Sequence, residues 1–444
     1  MAQKIITQSP IYNQPILERS SPTDQELEAI ILKSSLAFKK FRQSHNLSQR
    51  QEVIRKLINL LDQNKNQLAR ELTEQIGRPI AYTAKEITTA INRTQYLLSI
   101  SNQALEDIPG QPEHGFKRFI RKVPIGPVLI IFAWNYPYLI LVNSLIPAIL
   151  AGNSVILKPS PQTPTIAEHF QSFLLQAGLP NDVVTLFHSP GMSSTQLAIK
   201  SPLVNLICFT GSVKAGLEVQ AAASSRLVSL GLELGGKDAA YVRADADIDW
   251  TAAELVDGAM FNSGQSCCSV ERVYVHQSVY DQFLSAAQKV LAGYRLGDPF
   301  DSNTHLGPVI SQKSKQLIES HVNDAIAAGA VDATPENESF ENLPSRGNFV
   351  KPVILTGVNH TMNVMSEETF GPVMPIMSVT GDEEAIALMN DSEFGLTGSI
   401  WTKDIAQDLA WTGWKNSGKG VTLSRFGFDA FVKLQSIHIK SPPQ

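Results

Sequence analysis

The sequence predicts an α/β chain with two doubly wound parallel-sheet domains and a small oligomerisation arm. From Val128 to Leu230, short β-branched runs alternate with helical stretches, a strand–helix–strand unit in about thirty residues. After Gly235-Gly236 the alternation starts again. The chain has 444 residues, more than one ordinary core organises. Repeated units of this kind imply parallel sheets, which bind nucleotides at the carboxyl ends of their strands.

Each element has its own signal. Residues 23–105 read as helical, because Ile54, Leu57, Ile58 and Leu61 recur at helical spacing among polar residues. Pro109-Gly110 breaks that pattern. Phe116 to Val123 alternates and carries charge, like an exposed strand. Val128 to Phe132 reads as a buried strand, Tyr138 to Leu150 as a helix ended by Gly152-Asn153, and Ser154 to Leu157 as a strand. Helices over Thr165–Ala177 and Ser194–Ile199 lead to strands over Val183–Phe187 and Val204–Phe209. A further helix follows Gly211, and a strand lies near Leu227–Leu230. In the second half, helices are expected at Asp249–Phe261, Tyr280–Tyr294, between Lys313 and Ala328, and at Asp382–Asn390. Strands are expected at Arg272–His276, Val350–Leu355 and Gly398–Thr402. Val432 to Lys440 alternates like an edge strand able to pair with another subunit.

Hydrophobic residues make up 43% and charged residues 18%, and the net charge is -5. No block of like charge suggests nucleic acid or a membrane surface. The apolar stretch Val128–Leu150 is broken by Asn135, Pro137, Asn143 and Pro147, so it reads as a strand and a core helix, not a span. The first residues lack a basic region followed by an apolar core, so no signal peptide is expected. The cysteines are Cys208, Cys267 and Cys268. An odd, low count suits a reducing cytoplasm better than a disulfide framework. No metal site is expected.

Three segments carry chemistry. Cys267 follows Asn262-Ser263-Gly264-Gln265-Ser266. A thiolate is a strong nucleophile, and a loop beside a helix end helps to lower a thiol pKa. Taken alone, a cysteine in such a loop is more often structural. Glu233 lies between leucines and before Gly235-Gly236-Lys237. Burial would tune it as a general base; equally, it could be a strand-end acid paired with Lys237. Phe209-Thr210-Gly211-Ser212 closes a strand and opens a helix, a place for a pyrophosphate or a simple cap at Ser212.

In order along the chain stand Pro124-Ile125-Gly126-Pro127, Ala133-Trp134-Asn135-Tyr136-Pro137, Ala151-Gly152-Asn153, Lys158-Pro159-Ser160, Phe209-Thr210-Gly211-Ser212, Glu233-Leu234-Gly235-Gly236-Lys237, Gly264-Gln265-Ser266-Cys267 and Glu367-Glu368-Thr369-Phe370-Gly371-Pro372. Together, from about Gln25 to Ser424, these motifs resemble the aldehyde dehydrogenase superfamily. The resemblance implies that Cys267 is the nucleophile, Glu233 the general base and Asn135 the amide that stabilises an oxyanion. It implies that Phe132, Trp134, Lys158, Ser160, Gly211, Ser212, Glu368 and Phe370 contact NAD or NADP. It also implies a dinucleotide-binding domain over 1–110 and 125–233, a catalytic domain over 234–418, and an arm and tail over 111–124 and 419–444. The expected reaction takes an aldehyde to a carboxylic acid through a cysteine thiohemiacetal and thioester, in a homodimer or homotetramer.

The sequence departs from the family in two places. Pro161 stands three after Lys158, where NAD-preferring relatives often carry a glutamate, and this removes a barrier to a 2′-phosphate. After Asp404 a segment that normally walls the substrate entrance looks deleted. That predicts an open substrate mouth and supports a competing reading, a catalytically impaired member kept for binding or structure. Tyr138, Phe261 and Trp411 are candidates for an apolar tunnel or for simple core packing.

Overall fold

The computed structural model describes residues 3–112, 114–403, 411–412, 414–419, 421–422, 428–429 and 431–440. The helical region is three helices, Asp24–Ser44, Leu47–Ile76 and Ile80–Leu105. The first two open with capping boxes, Thr23 with Glu26 and Asn46 with Gln49, which satisfy otherwise orphaned backbone N–H groups. The second ends at Gly77, whose left-handed backbone (φ 75°) turns the chain. Its stripe of Ile54, Leu57, Leu61, Leu68 and Leu72 is buried against the apolar helix Pro137–Ala151 and the first sheet.

The first sheet runs Ser229–Glu233, Leu206–Thr210, Val128–Ile131, Val155–Lys158, Val184–Leu186, all parallel. The chain lays down Val128–Ile131 first, builds outward on one side, then crosses back and builds on the other. The switch therefore falls between Val128–Ile131 and Leu206–Thr210, where the following loops diverge and leave a crevice. Gly418–Lys419 pairs antiparallel on Leu232–Glu233 at the outer edge.

The second sheet runs Val353–Thr356, Val373–Val379, Val270–His276, Asp238–Val242, Gly398–Trp401, again parallel, with Val331–Asp332 antiparallel at one edge. Two of the parallel strands escape the sequence reading. Asp238–Val242 is buried throughout, so it shows no alternation, and it holds two alanines, which favour strands poorly. Val373–Val379 carries Pro375 in its interior, a residue that normally argues against a strand. A third strand is misplaced: Ser229–Glu233 extends past the predicted Leu227–Leu230 and carries Glu233 as its last residue.

Val432–Lys440 pairs within its own chain, antiparallel to Phe116–Pro124 over its full length, with Ile108–Pro109 on the other side. In that order Val432–Lys440 is the outer strand of the three, an edge strand as its alternation predicts. A hairpin of Lys4–Ser9 and Gln14–Ser20, also missed, straps the two halves. Thr7 Oγ1 donates to the Pro161 carbonyl at 2.7 Å, and Arg19 grips Glu168 at 2.6 and 2.8 Å. On the far side, Asn348 N donates to the Pro10 carbonyl at 2.9 Å. Residues 404–410, where the sequence looks shortened, lie outside the described residues.

Candidate active site

The crevice at the switch point is a cleft of about 220 Å³. From the first sheet it is lined by Ala133, Trp134 and Asn135, which follow Val128–Ile131, and by Thr210, Gly211 and Ser212, at the end of Leu206–Thr210. Leu234 and Gly235 follow Glu233. Cys267, Glu368 and Phe370 come from the second half. The switch point thus gathers residues scattered over more than half the sequence. A larger crevice, about 740 Å³, lies by Tyr241, Arg243, His276 and Asp382 and holds none of the predicted site residues.

The loop that carries Cys267 follows the helix Ile248–Met260. Asn262, Ser263 and Gly264 take left-handed backbone in succession (φ 55°, 54° and 71°). Such geometry costs energy in non-glycine residues and persists only where neighbours hold it. Asn262 Nδ2 donates to the Gln265 carbonyl at 3.1 Å, and Gln265 Nε2 donates back to the Asn262 carbonyl at 3.0 Å. Ser263 Oγ donates to the Gly307 carbonyl at 2.8 Å, and Gln265 Oε1 accepts from Ile310 N at 2.8 Å. Asn135 Nδ2 also donates to the Gln265 carbonyl, at 3.3 Å. That bond is long, and an amide nitrogen carries two hydrogens, so a donor remains for the cleft.

Cys267 does not have the lowered pKa expected from a helix end. Its hydrogen bond with Cys268, and then burial, push the Cys267 thiol well above the usual range. As a coupled pair, the adjacent thiols hold their second proton more tightly than their first. Cys208 is a separate, partly buried thiol, pushed up to about 12 by desolvation. All three cysteines are free.

Glu233 is the last residue of Ser229–Glu233 and is not among the residues lining the cleft; three residues on, at Gly236, the chain meets the Cys267 loop. A Cβ on Gly236 would lie 2.1 Å from the Cys267 carbonyl oxygen, and one on Gly235 would lie 2.6 Å from the Glu368 carboxylate. Only glycines allow so close an approach. Leu234 N donates to the Ser417 carbonyl at 2.9 Å, so the later loop braces this strand end. The pairing of Glu233 with Lys237 is not found. Lys237 Nζ instead meets Glu271 at 2.6 Å and Thr369 Oγ1 at 3.1 Å, and both charged side chains are buried. Glu271 also accepts from Thr369 N at 2.8 Å and Phe370 N at 2.9 Å. This carboxylate holds the turn in which Phe370 is left-handed (φ 54°).

Glu368 accepts from Gly236 N at 2.9 Å, and desolvation raises its pKa to about 7. The Trp134 and Phe370 rings meet edge-on, 5.9 Å apart. Ser212 caps the helix Val213–Ala223, accepting from Ala215 N at 3.3 Å, so the simple cap is present and the helix start faces the cleft. Lys158 ends Val155–Lys158. Burial draws its pKa down to about 8, and its ammonium has no hydrogen-bond or acidic partner among the described residues. A buried ammonium in that state suits the hydroxyl or phosphate oxygens of a nucleotide. Ser160 Oγ accepts from Gln162 N at 3.2 Å. The remaining predicted contact, Phe132, is packed in the core beside the cleft. Tyr138 is likewise a core residue packed on Phe170, whereas Phe261 stacks against Tyr136 at 6.4 Å.

Several residues that build the site escape sequence reading: Arg78, Glu86, Asn262 and Glu271. Glu86 left a trace, being an acid on the stripe with Thr83, Ile87 and Ala90 that its helix buries. The others pair across large sequence separations and leave none.

Comparison with known proteins supplies a family. The model of the "Aldehyde dehydrogenase family" matches residues 1–412. A probable betaine aldehyde dehydrogenase of Schizosaccharomyces pombe is 30% identical over 417 residues, covering 88% of this chain and 82% of that protein. The solved betaine aldehyde dehydrogenase of Staphylococcus aureus, in complex with NAD+, superposes with TM-score 0.91 at 27% identity, covering 100% of this chain and 92% of the other. A succinic semialdehyde dehydrogenase of Streptococcus pyogenes, in complex with NADP+, gives TM-score 0.91 at 27% identity, covering 98% and 100%. By fold, by site composition and by this match, the chain belongs to the aldehyde dehydrogenase family.

Proposed function

We propose that this chain oxidises an aldehyde to a carboxylic acid with NAD or NADP as acceptor, through a covalent intermediate on Cys267. The observation that carries the reading is the cleft that brings Cys267 and Asn135 together with Trp134, Gly211, Ser212, Glu368 and Phe370. Cys267 Sγ attacks the aldehyde carbon, a C–S bond forms, and the carbonyl π electrons move to oxygen. Glu233, three residues before the Gly236 that lies against the Cys267 carbonyl, takes the thiol proton through water. Asn135 Nδ2 stabilises the oxyanion, as a preorganised donor in a water-poor cleft does best. Oxidation of the sulfur-bound carbon to a thioester needs a hydride acceptor, which is the chemistry a bound nicotinamide dinucleotide supplies. Glu233, having released the thiol proton to bulk water, then deprotonates a water that attacks the thioester carbonyl, the C–S bond breaks, and the acid leaves as Cys267 regains a proton from Glu233.

Lys158, Ser160, Gly211, Ser212, Glu368, Phe370 and Trp134 would hold the dinucleotide, with Phe132 behind them. Both cofactors belong to the proposal: no acid stands at Pro161 to repel a 2′-phosphate, and the solved relatives include one with each. The proposal also divides the chain into a dinucleotide-binding part (1–110 and 125–233), a catalytic part (234–418) and an arm with tail (111–124 and 419–444). It sets the enzyme in a reducing cytoplasm, where Cys267 stays a thiol, and as a homo-oligomer joined through that arm.

The test is incubation with NAD or NADP and a panel of short, aromatic and long aldehydes, following reduced nicotinamide and acid product. Turnover that vanishes in Cys267→Ala supports the proposal. Turnover retained in that variant refutes the nucleophile, and a wild-type chain inert on the whole panel favours an impaired member.

A further inference from the structure

We propose that Arg78 is a positioning residue that locks the Asn135 oxyanion donor to the Cys267 loop. Arg78 lies in the turn Gly77-Arg78-Pro79 between two helices, far in sequence from both. It is among the largest fully buried side chains, with 1% exposure. Its guanidinium spends its donors on three different segments. One nitrogen pairs with Glu86, a second donates to the backbone carbonyl of Asn135, and Nε donates to Asn262 Oδ1 at 3.0 Å. The face of the guanidinium lies 4.2 Å from the Tyr136 ring centroid.

The two ends of this fork are the two halves of the reaction site. Asn135 carries the amide assigned to the oxyanion, and Asn262 is the first left-handed residue of the loop that presents Cys267. Both amides converge on one acceptor, the Gln265 carbonyl, at 3.3 Å from Asn135 and 3.1 Å from Asn262. Arg78 therefore fixes the spacing between donor and nucleophile from behind, without touching substrate. Glu86 fixes Arg78 in turn. One of its oxygens takes the guanidinium, and the other accepts from Tyr138 N at 2.9 Å at the start of the helix after Asn135.

Packing alone would not select this arrangement. A buried cation is expensive to desolvate, and an apolar side chain of similar volume would fill the same space. What an apolar residue lacks is a rigid planar set of donors aimed at several acceptors, and lysine lacks it too. Misplacement of reacting groups by about 1 Å lowers rates by roughly a hundredfold.

The inference rests on the role given to Asn135 above, and the experiment separates the two. Arg78→Lys, Asn135→Ala and the double variant are compared with the wild-type full chain by steady-state kinetics on the best aldehyde of the panel. Arg78→Lys is expected to lower kcat by about 100-fold while the KM for cofactor stays within about twofold. In the double variant it should add almost nothing to the loss from Asn135→Ala, because both act through one donor. Losses that multiply in the double variant, a wild-type kcat in Arg78→Lys, or equal falls in kcat and cofactor affinity would overturn the inference. Wild-type kcat in Asn135→Ala would instead overturn the role of Asn135, and this inference with it. Should Arg78→Lys not fold, Glu86→Gln carries the test. A single amide oxygen cannot accept on both sides, so the same split is expected, and an unchanged kcat overturns the proposal.

Discussion

Glu271→Ala isolates the device that holds the cofactor-side turn. The carboxylate is nearly inaccessible and accepts from Lys237 Nζ at 2.6 Å, Thr369 N at 2.8 Å and Phe370 N at 2.9 Å. Removing it strands a fully buried ammonium, a loss of about 3–5 kcal/mol. Orphaning the two backbone donors alone would cost about 1–3 kcal/mol each. These terms overlap, so a net of about 4 kcal/mol is expected. For a unit of this size each kcal/mol shifts Tm by about 2–4 °C, which gives a fall of roughly 8–16 °C. Scanning calorimetry reads that directly. The same change frees the turn carrying Glu368 and Phe370, so the KM for cofactor should rise about tenfold, equivalent to about 1.4 kcal/mol. Lys237→Met in the Glu271→Ala background should raise Tm again, since it removes the stranded charge. A Glu271→Ala protein within about 1 kcal/mol of wild type, or a second substitution that lowers Tm further, would refute the reasoning.

Apparent cofactor affinity should peak between pH 7 and 8. In the proposed site Glu368 becomes a charged acceptor on both oxygens, suited to ribose hydroxyls, as pH rises through its pKa of about 7, and Lys158 loses its charge above about 8. Glu368→Gln should flatten the acid limb of a plot of log KM against pH and leave the alkaline limb unchanged. Asp238 is buried, desolvation raises its pKa to about 8, and Thr397 N donates to it at 3.1 Å. Its folded pKa lies above its unfolded value near 3.8, so wild-type stability should decline as pH climbs from about 4 to about 8. Asp238→Asn should lose less over that range, and parallel melting curves would count against the shift. Gly264→Ala should cost far more than Gly178→Ala. Both glycines have positive φ, a strain of about 1–2 kcal/mol for alanine, but a Cβ at 264 lies 2.0 Å from the Gly371 carbonyl whereas 178 faces open space. Equal melting shifts would mean that the Gly264–Gly371 contact is unimportant.

What was legible in the sequence was mostly local. The first parallel sheet could be read because its strands are short β-branched runs separated by glycine or proline, and the loops at its switch point carry Asn135, Gly211 and Ser212. Asp238–Val242 and Val373–Val379 could not, since one lacks alternation and the other contains Pro375. The reactive residues stood in recognisable segments. Their supports did not: Arg78 meets Asn262 across 184 positions, and Glu271 meets Thr369 across 98. Local spacing offers Glu233 a partner in Lys237, but Lys237 meets Glu271 on the adjoining strand. A buried charge takes the partner that the sheet brings near, and strand order is not written in local spacing.

The hairpin Lys4–Ser20 bears on the order in which the molecule is made. It leaves the ribosome before its partners Pro161 and Glu168, and long before Asn348, whose amide it receives at Pro10. Domains fold as units during synthesis, the earlier one first. The hairpin can therefore settle on the first sheet midway through translation but closes its last bond only once the second sheet is being laid down. A segment synthesised before its partners becomes a late fastener, and a fusion placed just before it would be felt as slower joining of the two halves, with the local structure of each left unchanged.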